Sequence, residues 1–282
     1  MSQRPSRPAT TRAVSSWARG GVGLGLTPCA VAVAERVLPH VHVTPFRAEV
    51  MAFAGATAFP IFGLALAATA ELPLRVALSL ATPAALALVG LCFRQPSAPI
   101  TLLVVDTSLV VLAWALGSSL GRRVQHAAHL FPACVVAACA DLVSVLSPEG
   151  PSHAIATSER ALSVLAVGFP VPGRDAVSPA LGVGDLLFMA LVFGVARAHG
   201  LPYARCIGLC LLGTALAGVA AAALSLAVPA LVPIAAVLVL GLPAIRKLSP
   251  ADRRAARVSM LISGSIALAV LVRACLAHLL TQ

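Results

Sequence analysis

Long apolar runs separated by short polar connectors dominate this chain. The clearest run from Val50 to Ala70, Ala98 to Leu120 and Ala204 to Val228. An apolar stretch of about 18 or more residues reads as a membrane-spanning helix. On this pattern the chain predicts about nine segments, at 20–38, 50–70, 72–93, 98–120, 127–147, 179–199, 203–227, 229–245 and 257–280. The first is Gly-rich, contains Pro28 and soon meets Glu35 and Arg36; the eighth is short for a span. The longest connector, 148–178, is rich in Pro, Gly and Ser. The expected fold is therefore all-α: a multi-pass transmembrane helical bundle forming a single membrane domain, 1–282. A polar tail, 1–19, precedes it, with Arg4, Arg7, Arg12 and Arg19 and no acid. A cleaved signal peptide is the other reading of that tail, but no clear cleavage site follows it.

Composition agrees with this reading. The chain is 59% hydrophobic and 11% charged, against about 25% charged in soluble domains. So much apolar sequence does not fit inside one soluble core of this length. The net charge of +10 does not point to nucleic acid, because the cations sit at the ends of apolar runs and do not cluster with aromatics. They instead set an orientation by the excess of Lys and Arg on cytoplasmic loops. With the N-terminus inside, that face holds Arg4, Arg7, Arg12, Arg19, Arg75, Arg122, Arg123, Arg197, Arg205, Arg246, Lys247, Arg253, Arg254 and Arg257, fourteen of the twenty. The outer side holds Arg36, Arg47, Arg94, Arg160, Arg174 and Arg273, together with the 148–178 loop. The expected location is the cytoplasmic membrane. The seven cysteines contain no CxxC pair and read as small packing residues, with no metal site or disulfide framework.

An ionisable residue inside a membrane helix costs roughly 2.5–3.5 kcal/mol on insertion scales, so each one needs a reason. Glu35 and Glu71 fall at segment ends and read as interfacial; Asp106, Asp141 and Asp185 fall inside segments. Asp106 has no accompanying motif and reads as a structural hydrogen bond or a misplaced boundary. His126 and His129 read as interfacial, and Gly117 and Gly121 as a close helix contact. Asp141 lies about six residues before the outer loop and Asp185 about six after it, in consecutive antiparallel segments. At 1.5 Å per residue both lie roughly 9 Å below the same face, so their carboxyls can meet. Gly182 and Gly184 remove bulk beside Asp185, allowing close approach of a helix or an extended peptide. Pro229 and Pro233 break helical hydrogen bonding at the start of the eighth segment, and such backbone pairs readily with an extended strand. Two carboxyls in a low-dielectric site do not both ionise easily and share one proton; one then serves as general base on a water and the other as acid. The bland alternative is a polar pair that holds helices together. A rival from another class is a proton-coupled transporter, in which such carboxylates relay protons.

The run Asp141-Leu142-Val143-Ser144-Val145-Leu146-Ser147-Pro148-Glu149-Gly150-Pro151, then Gly182-Val183-Gly184-Asp185, then Pro229-Ala230-Leu231 resembles the presenilin and signal peptide peptidase family of intramembrane aspartyl proteases. The resemblance spans Phe131 to Leu231 and keeps the order and spacing of three motifs, none of which is specific alone: Pro179-Ala180-Leu181 is a second copy of the third. It implies a presenilin-like core, cleavage of peptide bonds in or beside transmembrane helices, Asp141 and Asp185 as catalytic residues, and no metal or organic cofactor. It also implies Gly182, Val183, Gly184, Pro229, Ala230 and Leu231 as residues shaping the active site, and membrane proteins or peptides in the lipid bilayer as substrates. The sequence names no oligomeric state. Ala140 stands where the family has tyrosine, which leaves a non-proteolytic, membrane-protein-binding homologue as an alternative. Four segments precede the aspartate pair where the family has five, and one extra follows the third motif. The charge pattern places the 148–178 loop outside, as in signal peptide peptidases, although the local sequence is similar to presenilins.

Overall fold

The structure is a computed structural model that describes residues 9–41, 43–70, 73–92, 99–174, 176–224 and 228–280. Arg4, Arg7, Glu71 and Arg94, named above, lie outside the described residues. The helices are α1 (Ala9–Val37), α2 (Pro45–Ala67), α3 (Leu74–Cys92), α4 (Pro99–Ala113), which runs through a π-helical turn (Trp114–Ser118) into α5 (Ser119–Arg123), and α6 (Leu130–Leu146). Then come α7 (Pro151–Thr157), α8 (Glu159–Leu165), strands β1 (Ala166–Pro170) and β2 (Val177–Gly182), α9 (Val183–His199), α10 (Tyr203–Leu224), α11 (Leu231–Gly241) and α12 (Pro250–Leu280).

Among the described residues, six stretches are long and apolar enough to cross a membrane: Arg19–His40, Pro45–Ala67, Leu102–Arg123, Ala127–Leu146, Tyr203–Leu224 and Asp252–Arg273. This is the make-up of an integral membrane protein. Three of the expected segments are shorter: α3, α9 and α11, the last with 11 residues. An 11-residue helix is about 16 Å long, well short of a bilayer core of about 30 Å.

Local chemistry explains many of the ends. Prolines open α2 and α7, at first-turn positions where the missing N–H has no helical partner. Ser158 caps α8, accepting the N–H of Ala161 at 3.3 Å, with Glu159 in the first turn. Gly200 ends α9 in the left-handed conformation at φ 62°. Inside the helices Thr57, Thr107 and Thr214 return their hydroxyls to backbone carbonyls one turn back, so these polar groups do not face an apolar surround unpaired.

The structure is mostly helical, as expected of an all-α bundle, with one addition. Strands β1 and β2 pair antiparallel as a two-stranded sheet in which β1 is buried and β2 is mostly half-buried or exposed. The 148–178 connector is thus structured, carrying α7, α8 and β1. The segment expected as a helix from 179 begins as strand and becomes helical only at Val183. Pro179 explains the delay: proline disfavours helix at the residue before it and lacks a donor. The sheet is anchored by Phe169, which stacks on Phe59 of α2 at 5.7 Å and lies over Gly55, where a Cβ would come within 2.5 Å of its ring.

The centre of the molecule is α9, buried along Leu186, Met189, Ala190, Val192, Phe193 and Val195. In lipid, helices associate through van der Waals packing, so small residues at contacts set how close they come. Gly117 and Gly121 bear out the close-contact expectation. A Cβ on Gly117 would fall onto the carbonyl of Leu187, and one on Gly121 onto the carbonyl of Leu191. From the other side, a Cβ on Gly194 would lie 2.6 Å from the carbonyl of Ser118. These collisions involve backbone, which cannot move aside as a side chain can. Gly121→Leu is therefore expected to separate α5 from α9 and cost about 3 kcal/mol or more. A thermal melt in detergent checks this, and a variant melting with wild type would refute it.

Candidate functional site

Asp141 lies on α6, five residues before its last residue, Leu146. Its Oδ2 accepts the backbone N–H of Leu231 at 2.9 Å. Leu231 is the first residue of α11, and the first N–H groups of a helix have no partner within it. The sequence creates this free end. Pro229 and Ala230 form the turn before the helix, with Val232 donating to Pro229 at 3.3 Å and Ile234 to Ala230 at 3.3 Å. Pro233 contributes no donor in the first turn. The positive end of α11 thus faces the Asp141 carboxyl. Residues 90 positions apart are joined by this bond.

Asp185 is the third residue of α9, not about six residues beyond its start as the longer predicted helix implied. Its Oδ2 reaches back to accept the N–H of Gly182 at 3.2 Å. That is the acidic half of a capping box, and it fixes the carboxyl at the positive end of its own helix. The two aspartates therefore have matching environments: each carboxyl sits at a helix N-terminus and holds one backbone N–H. Both also face the same space.

Both aspartates line one cavity of about 500 Å³, with Gly182, Val183, Gly184, Ala230 and Leu231. That volume falls within the range of small-ligand clefts, about 300–1,000 Å³. Pro229 shapes the turn but does not line the space. The two glycines differ from expectation in what they do. A Cβ on Gly182 would make ordinary contact with Asp185 at 3.6 Å, and one on Gly184 would meet nothing within 4 Å. Among the described residues neither glycine seats a neighbouring helix; Gly184 borders open cavity. Ala140, which precedes Asp141, is exposed.

Several lining residues escaped sequence reasoning: Ser152 and Ile155 of α7, Leu162 and Leu165 of α8, and Ala166, Pro179 and Ala180 of the sheet. Ser152 is held by Ser144 of α6, their hydroxyls 2.7 Å apart. Signals for these elements were present. Gly150-Pro151 and Ser158-Glu159 are helix starts, and Pro172-Gly173 marks a hairpin turn, where Gly173 has φ 70°.

The other singled-out groups lie elsewhere. Asp106 on α4 is 1% exposed and accepts the N–H of Gly168 in β1 at 3.2 Å, so the structural hydrogen bond is the reading that holds. It does not line the cavity. His129 lies 3.4 Å from Asp252 of α12, with His126 edge-on to it. Cys29, Cys134, Cys139, Cys206 and Cys210 are free thiols, and among the described residues no three His, Cys, Asp or Glu side chains gather into a metal-binding group.

Comparison with known proteins gives no match: no protein-family model, no curated protein and no solved structure resembles the chain closely enough to be identified.

Proposed function

We propose that this protein is an intramembrane aspartic protease of the presenilin and signal peptide peptidase type, hydrolysing peptide bonds within or next to transmembrane helices of its substrates. One observation carries the reading. The Leu231 N–H holds the Asp141 carboxyl, and Asp141, Gly182, Gly184 and Asp185 border the same cavity. Three motifs weak on their own thus meet at one point, and that point holds two carboxyls and room for a peptide.

In the proposed reaction a water sits between the carboxyls. The ionised partner takes a proton from the water as its oxygen attacks the scissile carbonyl carbon. The protonated partner gives its proton to the carbonyl oxygen, producing a gem-diol. The diol then collapses: the ionised carboxyl takes a proton from one diol hydroxyl as the C–N bond breaks, the nitrogen takes the proton of the other carboxyl, and acid and amine leave a dyad again holding one proton. The roles belong to the pair and not to either residue. The N–H bonds from Leu231 and Gly182 each occupy one carboxylate oxygen and leave the other for water or substrate.

A helix hides its peptide bonds in its own hydrogen bonds, so the substrate must be extended at the cut. Strand β2 ends at Gly182, three residues before Asp185, and the two-stranded sheet leaves it an outer edge. An extended substrate adding to that edge would run into the cavity. The short helices α9 and α11 begin beside this irregular backbone. Together with it they complete the proposed count of about nine crossings, N-terminus inside, since non-helical backbone at membrane depth is tolerated where it lines a cavity.

The test is to incubate the purified protein in liposomes with a transmembrane reporter peptide and weigh the products. Two fragments whose masses sum to the substrate plus one water are expected. Intact reporters together with proton-driven solute uptake would replace this reading with the transporter.

A further inference from the structure

We propose that Asp106 is a positioning residue for this site: by holding the N–H of Gly168 at an irregularity in the sheet, it sets the register in which β2 delivers Gly182 and Asp185 to the cavity. The inference rests on the protease reading for its catalytic consequence, but not for its structural one.

Strand β1 is buried at all five positions, Ala166 to Pro170. Backbone buried this deeply in an apolar bundle must find partners for its polar groups. The ladder with β2 does not supply them all. Val167 pairs with Leu181 but Gly168 with Pro179, so Ala180 is left over and the register shifts between Val167 and Gly168. Pro179 has no N–H to give to the ladder. At this bulge the sheet's own hydrogen bonds are therefore least able to define alignment. Here the Gly168 N–H goes to Asp106 Oδ1 at 3.2 Å.

The consequence for the site follows from the strand period. Slipping one strand by one residue turns each of its side chains to the opposite face. Ala166 opposes Gly182 at the end of the ladder, so a slip at Gly168 carries Gly182 and the capped Asp185 away from Asp141. Asp106 is well placed to prevent it. It is 1% exposed on α4, and α4 continues into the π turn and α5, whose glycines lock against α9. One continuous helical stretch therefore meets the bulge at one end and the helix bearing Asp185 at the other. Among the described residues only one acceptor oxygen is used; Oδ2 of Asp106 is buried and has no hydrogen-bond partner among them. An amide at this position has the one oxygen the contact needs.

The experiment compares full-length wild type, Asp106→Asn and Asp106→Leu in liposomes. Two readouts are taken: amide exchange of peptides covering 166–182, and cleavage of the reporter with product masses. Asp106→Leu is expected to speed hairpin exchange about tenfold, to lower kcat by roughly 10²-fold with KM little changed, and to spread the cut over neighbouring bonds. Asp106→Asn is expected to restore all three. Should Asp106→Leu not fold, Asp106→Ser, too short to reach Gly168, takes its place. Wild-type protection and cut sites in a folded Leu or Ser variant would overturn the proposal, as would an Asn variant as damaged as Leu. If wild-type protein cuts nothing, the protease reading has failed on its own. Exchange then decides alone: protection lost in Leu and kept in Asn retains Asp106 as the register-setting residue, and equal protection in all three removes it.

Discussion

Asp141→Asn and Asp185→Asn are each expected to lower reporter cleavage by about 10²–10⁴-fold, the range for losing a general acid or base. The pair acts as a unit, so the double variant should be hardly slower than either single one. The same substitutions should leave the fold intact. Asparagine keeps a side-chain oxygen to accept the Leu231 N–H at position 141 and the Gly182 N–H at position 185. It also removes a charge that is expensive at membrane depth, so melting temperature should stay level or rise. The contrast with alanine sharpens the test. Asp141→Ala leaves the Leu231 N–H without its partner, at a cost of about 1–3 kcal/mol, and loosens α11 from α6. Turnover and thermal melts on the same preparations measure both effects. Either asparagine variant cutting as fast as wild type would remove the dyad as catalyst.

The second large effect is expected at Gly184, where folding and function should separate. A Cβ there meets nothing within 4 Å, and the position lies in the first turn of α9. Gly184→Ala should be neutral to stabilising by about 0.5–1 kcal/mol, since glycine inside a helix carries an entropic cost. Gly184→Leu should also fold, but its side chain would occupy the space beside Asp185 that the proposed substrate needs. Cleavage should fall about 10²-fold, the penalty for misplacing the reacting groups by an ångström or so. Gly121→Leu is the control: the same exchange in the same pair of helices, but against backbone and not against open space. A melting curve and a cleavage rate for each variant distinguish them. If Gly184→Leu cuts normally, the cavity at that position is not where the peptide lies.

What each residue can do within its own segment is legible from the order of residues alone. Runs of apolar residues longer than a bilayer core required membrane helices, and the transfer cost of carboxyls singled out Asp106, Asp141 and Asp185. Local spacing also set Gly117 and Gly121 on one helix face. These are properties of short range, where periodicity and composition are the whole physics. Tertiary structure decided everything that depends on a partner far along the chain. That Leu231 would donate to Asp141 follows from α11 packing on α6, not from any pattern within either. Whether residues 179–182 are helix or strand was ambiguous locally; Pro179 weakens the helix, and β1 supplies the ladder that only a neighbour can offer. Asp106 shows the division best. Its burial cost announced that a partner must exist, while the identity of that partner, a backbone N–H 62 residues away, rested on how α4 and the sheet come together.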